Sequence, residues 1–574
     1  MSAGFHRGCG PAATRTAMAW LLLLALVVLA PGLGMRDPAP PDEPRFVLAA
    51  LAMWDSGEWL LPRRGSELYA HKPPVFMWLQ ASAFALVRDW RIAFLLPSLL
   101  AALATLWLLQ DLGRRLWTAR VGLYAALALL ATLQFGLQAR RGQIDMVLVA
   151  FTTLSLWALL RHLLLQRSAA LALLAGAAAG LGTVTKGVGF LPLLALLPWW
   201  LLARRRGVDP PLQGGMIVLG FVGGCLLWLG PLLWVAAGSG DPALRAYLGE
   251  ILLRQTAERY ADPWHHVRPA WYYLQVIATL WLPGVLLLPW LLPAWVRRWR
   301  RRDPRYVVLL GWVVLVLVFF SASAGKREVY LLPALPAICL AAAPLLRALL
   351  ARRGPQRMLR GYLLLVPALL LLAALLLLTD AGGAATRLLE ERGLRWADLR
   401  QIAWVLAACA ALAAGATALA WRWPGIAVLA LTVVLWSGYG LGIAPALDYS
   451  SSGRAVMDAA RAQLPAGAEL GLVAWTEQLL LHAPAGTADF GFEQAWPTQW
   501  QRADAWRHGA PAQRWLLTQE PALDACIDPQ QTVAVGAANR RRWVLVPPRA
   551  WRPHCTPGAA ATPQPTLHGR RTAV

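Results

Sequence analysis

Side chains able to do chemistry at a membrane are few in this chain, and their scarcity is informative. Of 54 basic residues only three are lysines, Lys72, Lys186 and Lys326, each in a short polar interruption between apolar runs. The adjacent carboxylates Asp42 and Glu43 lie thirty residues before Lys72, and Asp145 opens an apolar run in Arg140-Arg141-Gly142-Gln143-Ile144-Asp145-Met146. A later interruption carries Arg254, Arg259, His265, His266 and Arg268. A fixed carboxylate near several fixed cations suits an anionic substrate, because the cations face its phosphate while the carboxylate orients an acceptor or takes its proton. Plainer readings stand beside this one. Asp42 reads equally as a helix cap, Asp145 as a headgroup contact and Lys186 as a snorkelling side chain. Adjacent histidines point in different directions, and two ligands do not complete a metal site.

The elements that must hold these residues are membrane spans. With 574 residues, 58% hydrophobic content and a mean hydropathy of +0.49, the chain is far more apolar than a soluble core requires. Its apolar runs are about 17–25 residues long, enough to cross a ~30 Å hydrocarbon layer as helices. They are continuous and rich in Leu and Ala, which excludes a β-barrel. Thirteen spans are expected near 17–34, 89–110, 121–137, 145–160, 169–185, 188–203, 215–237, 271–295, 306–322, 329–346, 361–379, 401–421 and 425–444. The first is expected to be retained, with a cleaved signal peptide as the alternative.

A net charge of +24 does not point to nucleic acid here, because the arginines cluster in short loops: Arg114, Arg115 and Arg120; Arg204 to Arg206; Arg297 to Arg305; Arg347 to Arg360. Each cluster follows an even-numbered span, so those loops and the N-terminus are expected in the cytoplasm and the C-terminus in the periplasm of a bacterial inner membrane. Arg140 and Arg141 then fall on the outer side, against the charge trend, which favours an anionic ligand nearby. The first external loop, 35–88, exceeds a plain connector, and Arg45 to Trp59 reads as an amphipathic helix with Phe46, Leu48, Ala49 and Leu51 to Trp54 turned to the membrane.

The expected organisation is therefore an all-α polytopic membrane domain over 1–444, a small extracytoplasmic α/β domain over 445–555 and a disordered tail over 556–574. In the α/β part, helices are expected at Gly453–Leu464 and Thr476–His482, and strands at Leu470–Trp475, Trp515–Thr518 and Trp543–Val546. Cys526 and Cys555 share an oxidising compartment in this topology, so a disulfide between them and two free thiols are both open.

Pro41-Asp42-Glu43-Pro44-Arg45-Phe46, then Ser56-Gly57-Glu58-Trp59-Leu60-Leu61-Pro62, then Tyr69-Ala70-His71-Lys72-Pro73-Pro74 with Trp78, resemble the first external loop of the aminoarabinose transferase family. That family belongs to the wider GT-C class, with the protein O-mannosyltransferases. The resemblance continues through Asp145, Thr185-Lys186-Gly187, His266 with Pro269 to Tyr273, and Ser321 to Pro336 with Lys326 and Tyr330, covering roughly residues 15–345. In two places the chain departs from the family pattern. His71 stands where the family has an acidic residue before the lysine, and Pro44 follows the acidic pair.

The resemblance implies transfer of a hexosyl or pentosyl group from a polyprenyl phosphate to a lipid A-type glycolipid, another glycan or a protein, at the periplasmic face. Asp42, Asp145 and Lys72 are the expected catalytic residues. Glu43, Arg45, Arg141, Lys186, Arg259, Lys326 and Tyr330 are expected to bind substrate. The family also suggests a metal ligand at the position of His71, partnered by the later histidine. A zinc-like divalent ion shared by His71 and His266 is thus one expectation, and no cofactor the other. Expected partners are the lipid-linked sugar, the acceptor and membrane lipids. Competing classes are a flippase or transporter for an amphiphilic anion and an assembly scaffold. Ionisable residues gathered at one face, with hardly any mid-span, count against transport.

Overall fold

The computed structural model describes residues 11–206, 213–252 and 267–558. Among them are nine helices long and apolar enough to cross a membrane, or eleven if two bent pairs each count as one span. Those nine coincide with nine of the thirteen expected spans. Segments 121–137 and 271–295 are the bent pairs, Ala119–Leu130 with Leu133–Ala139 at 71° and Tyr272–Leu280 with Gly284–Arg300 at 99°. The first span is a shorter apolar helix, Arg15–Leu29. The sixth divides into a 3-10 turn, Leu191–Ala195, and a helix, Leu196–Arg205, where Pro192 and Pro198 interrupt regular hydrogen bonding.

The two bends meet. The Leu133 N–H donates to the Leu282 carbonyl at 3.0 Å, and Trp281 donates its indole N–H to the Gln134 side chain at 2.7 Å. Gln134 in turn donates to the Glu328 carbonyl at 2.7 Å. Broken helices leave orphan backbone groups that lipid cannot satisfy, and here each break helps satisfy the other inside the protein. Close approach elsewhere rests on small residues. Gly176 and Gly180 face Gly220 and Gly224 across the helices Ala169–Lys186 and Gly214–Gly238, where an added Cβ on Gly176 or Gly180 would strike the carbonyls of Ile217 or Phe221.

The first loop carries the helix Glu43–Ser56 and a small hairpin of β1 (Arg63–Arg64) and β2 (Glu67–Leu68). Pro44 sits in the first turn, where its missing N–H has no intrahelical partner to lose. Gly57, at a φ of 73°, ends the helix by donating to the Met53 carbonyl. Several of the residues expected to face the membrane are covered by protein instead. Phe46, Ala49, Ala50 and Met53 pack into the bundle core, while Leu48 packs into the core of the C-terminal α/β region. Its apolar residues extend beyond one stripe because two protein layers cover it.

The C-terminal region forms a five-stranded sheet. β3 (Glu469–Leu472), β4 (Ala488–Asp489), β5 (Arg514–Gln519), β6 (Val533–Ala538) and β7 (Arg541–Val546) lie in the order β4-β3-β5-β7-β6. β3 is parallel to β4 and β5, whereas β7 is antiparallel to β5 and β6. Leu472, Leu517, Trp543 and Leu545 fill one face with Val456, Met457 and Leu479; Leu516 and Val546 fill the other with Trp500 and Ile527. Helices Arg454–Gln463 and Glu477–His482 lie where expected, and Trp496–His508, β4 and β6 are additional. Cys526 and Cys555 form a disulfide. Of the tail 556–574, residues 559–574 lie outside the described residues.

Candidate active site

Asp42 stands immediately before the loop helix, yet its carboxylate makes no capping bond. It accepts instead from the Gln143 amide and the Arg327 guanidinium, each at 3.0 Å, with Arg45 at 3.8 Å. Burial alone would raise its pKa. Arg327, Arg45 and Lys186 outweigh that burial and hold the carboxyl below its ordinary range.

Asp145 and Lys186 form a buried ion pair, and the Lys186 ammonium lies 5.0 Å from the centre of the Tyr330 ring. Arg327 is favoured in its charged form by both Asp42 and Asp145. Arg327 is thus bonded to Asp42 within the field of Asp145, and Asp42, Asp145, Lys186, Arg327 and Tyr330 make one cluster at one end of the bundle.

Glu43 is fully engaged in holding the loops. Arg36 binds both of its oxygens, at 2.5 and 2.7 Å, while the N–H groups of Ala39 and Gly142 donate to them at 2.8 Å. This ties the first loop to the Arg140–Gln143 turn. Arg141 is half-buried, and its carbonyl accepts from Ser98 at 2.7 Å; its guanidinium forms no ion pair among the described residues. Lys326 is turned to the backbone: its ammonium donates to the Arg268 carbonyl at 3.1 Å and to the Ser323 carbonyl, beside the bridge between Val267 and Gly325. Two of its three donors are thereby used on loop closure.

The second half of the first loop meets the C-terminal region. Arg45 donates to Glu477 at 2.9 Å, and Arg64 approaches the same oxygen at 3.4 Å while also binding Glu493. Tyr69 is buried beside both guanidiniums, with Arg64 5.3 Å from its ring centre. Outside this core, Ser66 binds Asp489 through its N–H at 3.0 Å and its hydroxyl at 2.8 Å. Asp37 joins Arg91 and Arg454 at 2.8 and 2.7 Å. The C-terminal region is thus clamped to the loop that presents Asp42.

His71 lies 3.7 Å from Glu493 and 5.4 Å, between ring centres, from Tyr69. Burial, Arg64, Arg45 and Lys72 push its pKa down to about 4, so the imidazole is neutral at physiological pH. Lys72, half-buried, adds to that positive field. Among the described residues no group of three or more His, Cys, Asp or Glu side chains is placed to hold a metal ion. The carboxylate 3.7 Å from His71, that of Glu493, is already bound by Arg64, and Arg64, Arg45 and Lys72 outweigh the favourable field of Glu250, so the described groups beside His71 do not by themselves make a divalent-ion site. Arg259 and His266 lie outside the described residues.

Sequence reasoning passed over Arg327, Gln143, Arg64, Tyr69 and Glu477 as site residues. Arg327 follows Lys326 in the same interruption, and Gln143 lies between Arg141 and Asp145, so both had a local signal. Glu477 had none, since its contact to Arg45 spans 432 residues.

Residues 71–234 match the family described as dolichyl-phosphate-mannose-protein mannosyltransferase. An undecaprenyl phosphate-alpha-4-amino-4-deoxy-L-arabinose arabinosyl transferase of Pseudomonas fluorescens is 32% identical over 335 residues, covering 56% of this chain and 55% of that protein. Its counterpart in Pseudomonas aeruginosa is 32% identical over 309 residues, covering 51% and 53%. The chain thus spans about half the length of the curated relatives it matches. The crystal structure of ArnT from Cupriavidus metallidurans bound to undecaprenyl phosphate aligns with a TM-score of 0.74 at 21% identity, over 94% of this chain and 98% of that one. The apo structure aligns at 0.68, with 22% identity over 94% and 100%. The chain is thus similar to the arabinosyl transferases over half its length and shares the fold of the ArnT structure over nearly all of it.

Proposed function

We propose that the chain transfers a sugar from a polyprenyl phosphate to an acceptor at the periplasmic face of the inner membrane. The observation that carries this reading is the ionised Asp42 set among Arg327, Arg45 and Lys186 at the junction of the first loop and the bundle. In such a transfer the bond between the anomeric carbon and the phosphate oxygen breaks, and the phosphate leaves with the electron pair. The acceptor oxygen forms the new bond from the opposite side, inverting the anomeric centre. Cations fixed near the leaving phosphate stabilise charge that grows only as the bond breaks. Arg327, Lys186, Lys72 and Arg45 take that role in this proposal, with Arg259 and Arg141 as further contacts.

Asp42 held below the usual carboxylate range is a weak base. That supports an acceptor already anionic, such as a lipid A phosphate, with Asp42 orienting it or stabilising positive charge on the sugar. Asp145 positions Lys186 and the donor sugar, with Tyr330 beneath the ammonium. Glu43 and Lys326 hold the loops that bring these groups together. The relatives' names support undecaprenyl phosphate as carrier and aminoarabinose as the sugar. Zinc shared by His71 and His266 rests on sequence alone, and no step is routed through it. Zinc binding lost in either His71→Ala or His266→Ala would establish that site.

Mass spectrometry of lipid A and total envelope glycans tests the proposal in cells with the wild-type protein, Asp42→Asn or none. A sugar present only with wild type is the expected outcome. Identical glycans in all three, in cells shown to make the donor, would refute it.

A further inference from the structure

A groove of ≈ 550 Å³ lies at the other end of the bundle, between the helices Leu196–Arg205, Gly284–Arg300 and Pro304–Ala322. Pro304–Ala322 runs from this groove towards Arg327, so the groove and the Asp42 cluster sit at opposite ends of that helix. Its walls are apolar, with Leu201 and Val314 exposed and Leu315 half-buried along it, and Pro198 packed against Gly311 at its floor. Its rim carries Arg205, Arg300 and Arg302, none of which forms an ion pair among the described residues.

Neighbouring charged groups are otherwise engaged. Asp303 is held by Arg305 through both oxygens, at 3.0 Å each. Arg204 stacks on Trp200 and Arg298 on Tyr306, with guanidinium carbons 4.1 and 4.7 Å from the ring centres. Arg206 donates to the Arg302 carbonyl at 2.5 Å, joining the two sides of the rim. Three uncompensated guanidiniums at the mouth of an apolar trough match an amphiphile with an anionic head and an acyl chain. A soluble anion would leave the trough empty, and a neutral lipid would leave the arginines uncompensated.

We propose that this groove binds an anionic diacyl phospholipid, its phosphate on Arg205, Arg300 and Arg302 and one acyl chain between Leu201 and Val314. The full chain, purified in detergent and stripped of lipid, is titrated with phosphatidylglycerol, phosphatidylcholine or inorganic phosphate, read by native mass spectrometry and thermal unfolding. Phosphatidylglycerol is retained and raises the unfolding midpoint, whereas the other two do neither. Arg205→Gln/Arg300→Gln/Arg302→Gln weakens that retention by roughly 100-fold, each charge contributing about fivefold. Val314→Trp fills the trough with the charges intact and also weakens it. Equal response to phosphatidylcholine or to phosphate would overturn the proposal, as would undiminished retention in either variant.

Discussion

Replacing Glu477 with glutamine removes one negative charge and almost no volume from the contact between the C-terminal region and the first loop. The Glu477 side chain is 9% exposed, that of Arg45 26% and that of Arg64 3%, so these bonds are largely shielded from water. A hydrogen bond with a charged partner contributes about 1.5–3 kcal/mol, and with glutamine only the guanidinium's charge remains in it. The 2.9 Å bond to Arg45 should therefore lose about 1 kcal/mol, and the 3.4 Å contact to Arg64 less, because Arg64 keeps Glu493. Arg45, now 3.8 Å from Asp42, becomes free to close on that carboxylate and neutralise it. The expected result is about a tenfold fall in kcat/KM, corresponding to about 1.4 kcal/mol of transition-state stabilisation. The assay is sugar transfer by purified protein, with thermal unfolding in parallel. Asp489→Asn, which alters the exposed contact to Ser66 and a 3.2 Å bond from the Gly491 N–H, should stay within about 0.5 kcal/mol of wild type. Wild-type turnover in Glu477→Gln, or full additivity of Arg45→Gln and Glu477→Gln in a double-mutant cycle, would refute the coupling.

Three further outcomes follow from the same geometry. Asp42 is held below its ordinary pKa of 3.8, so its ionised form persists through mildly acidic pH and is lost only as pH falls through the lowered value. Arg327→Gln removes the largest favourable charge, leaves burial to push the pKa up, and should move the acid limb of the pH–rate profile to higher pH. His71, lowered from 6.5 to about 4, stabilises the fold above pH 6.5, and that contribution is lost as pH falls towards 4; His71→Gln should flatten the dependence of Tm on pH across this window. Lys186→Met strands the buried Asp145 charge and should destabilise by about 3–5 kcal/mol, whereas Asp145→Asn/Lys186→Met should recover much of the stability but not the transfer activity.

Much of this site was legible because polar residues are conspicuous in an apolar chain. Asp42, Asp145, Lys186 and Tyr330 each interrupt or border an apolar run, and the structure gathers all four into one cluster. Lys326 stands out for the same reason, yet its ammonium serves the carbonyls of Arg268 and Ser323 while the adjacent Arg327 meets Asp42. Glu43 beside Asp42 shares its chemistry but not its surroundings, which the positions of Arg36 and of the Ala39 and Gly142 N–H groups decide. Spans were readable from composition, although the bends near Thr132 and Pro283 depend on a pairing between distant segments. The loop helix was legible, but not that Phe46, Leu48 and Ala49 on it would be covered by protein, since apolar residues facing lipid and those facing protein follow the same pattern. β6, rich in Ala and Gly, and Trp496–His508, a helix without an apolar stripe, left no periodic signal.

The most direct test of the central claim is the stoichiometry of transfer by the purified protein. With a polyprenyl phosphate-linked sugar and an anionic glycolipid acceptor, wild type should release one polyprenyl phosphate for each acceptor modified. Asp42→Asn, folded normally by thermal unfolding, should lose both products together. Movement of the intact lipid-linked sugar across a vesicle membrane with neither product formed, or wild-type rates in Asp42→Asn, would contradict the account.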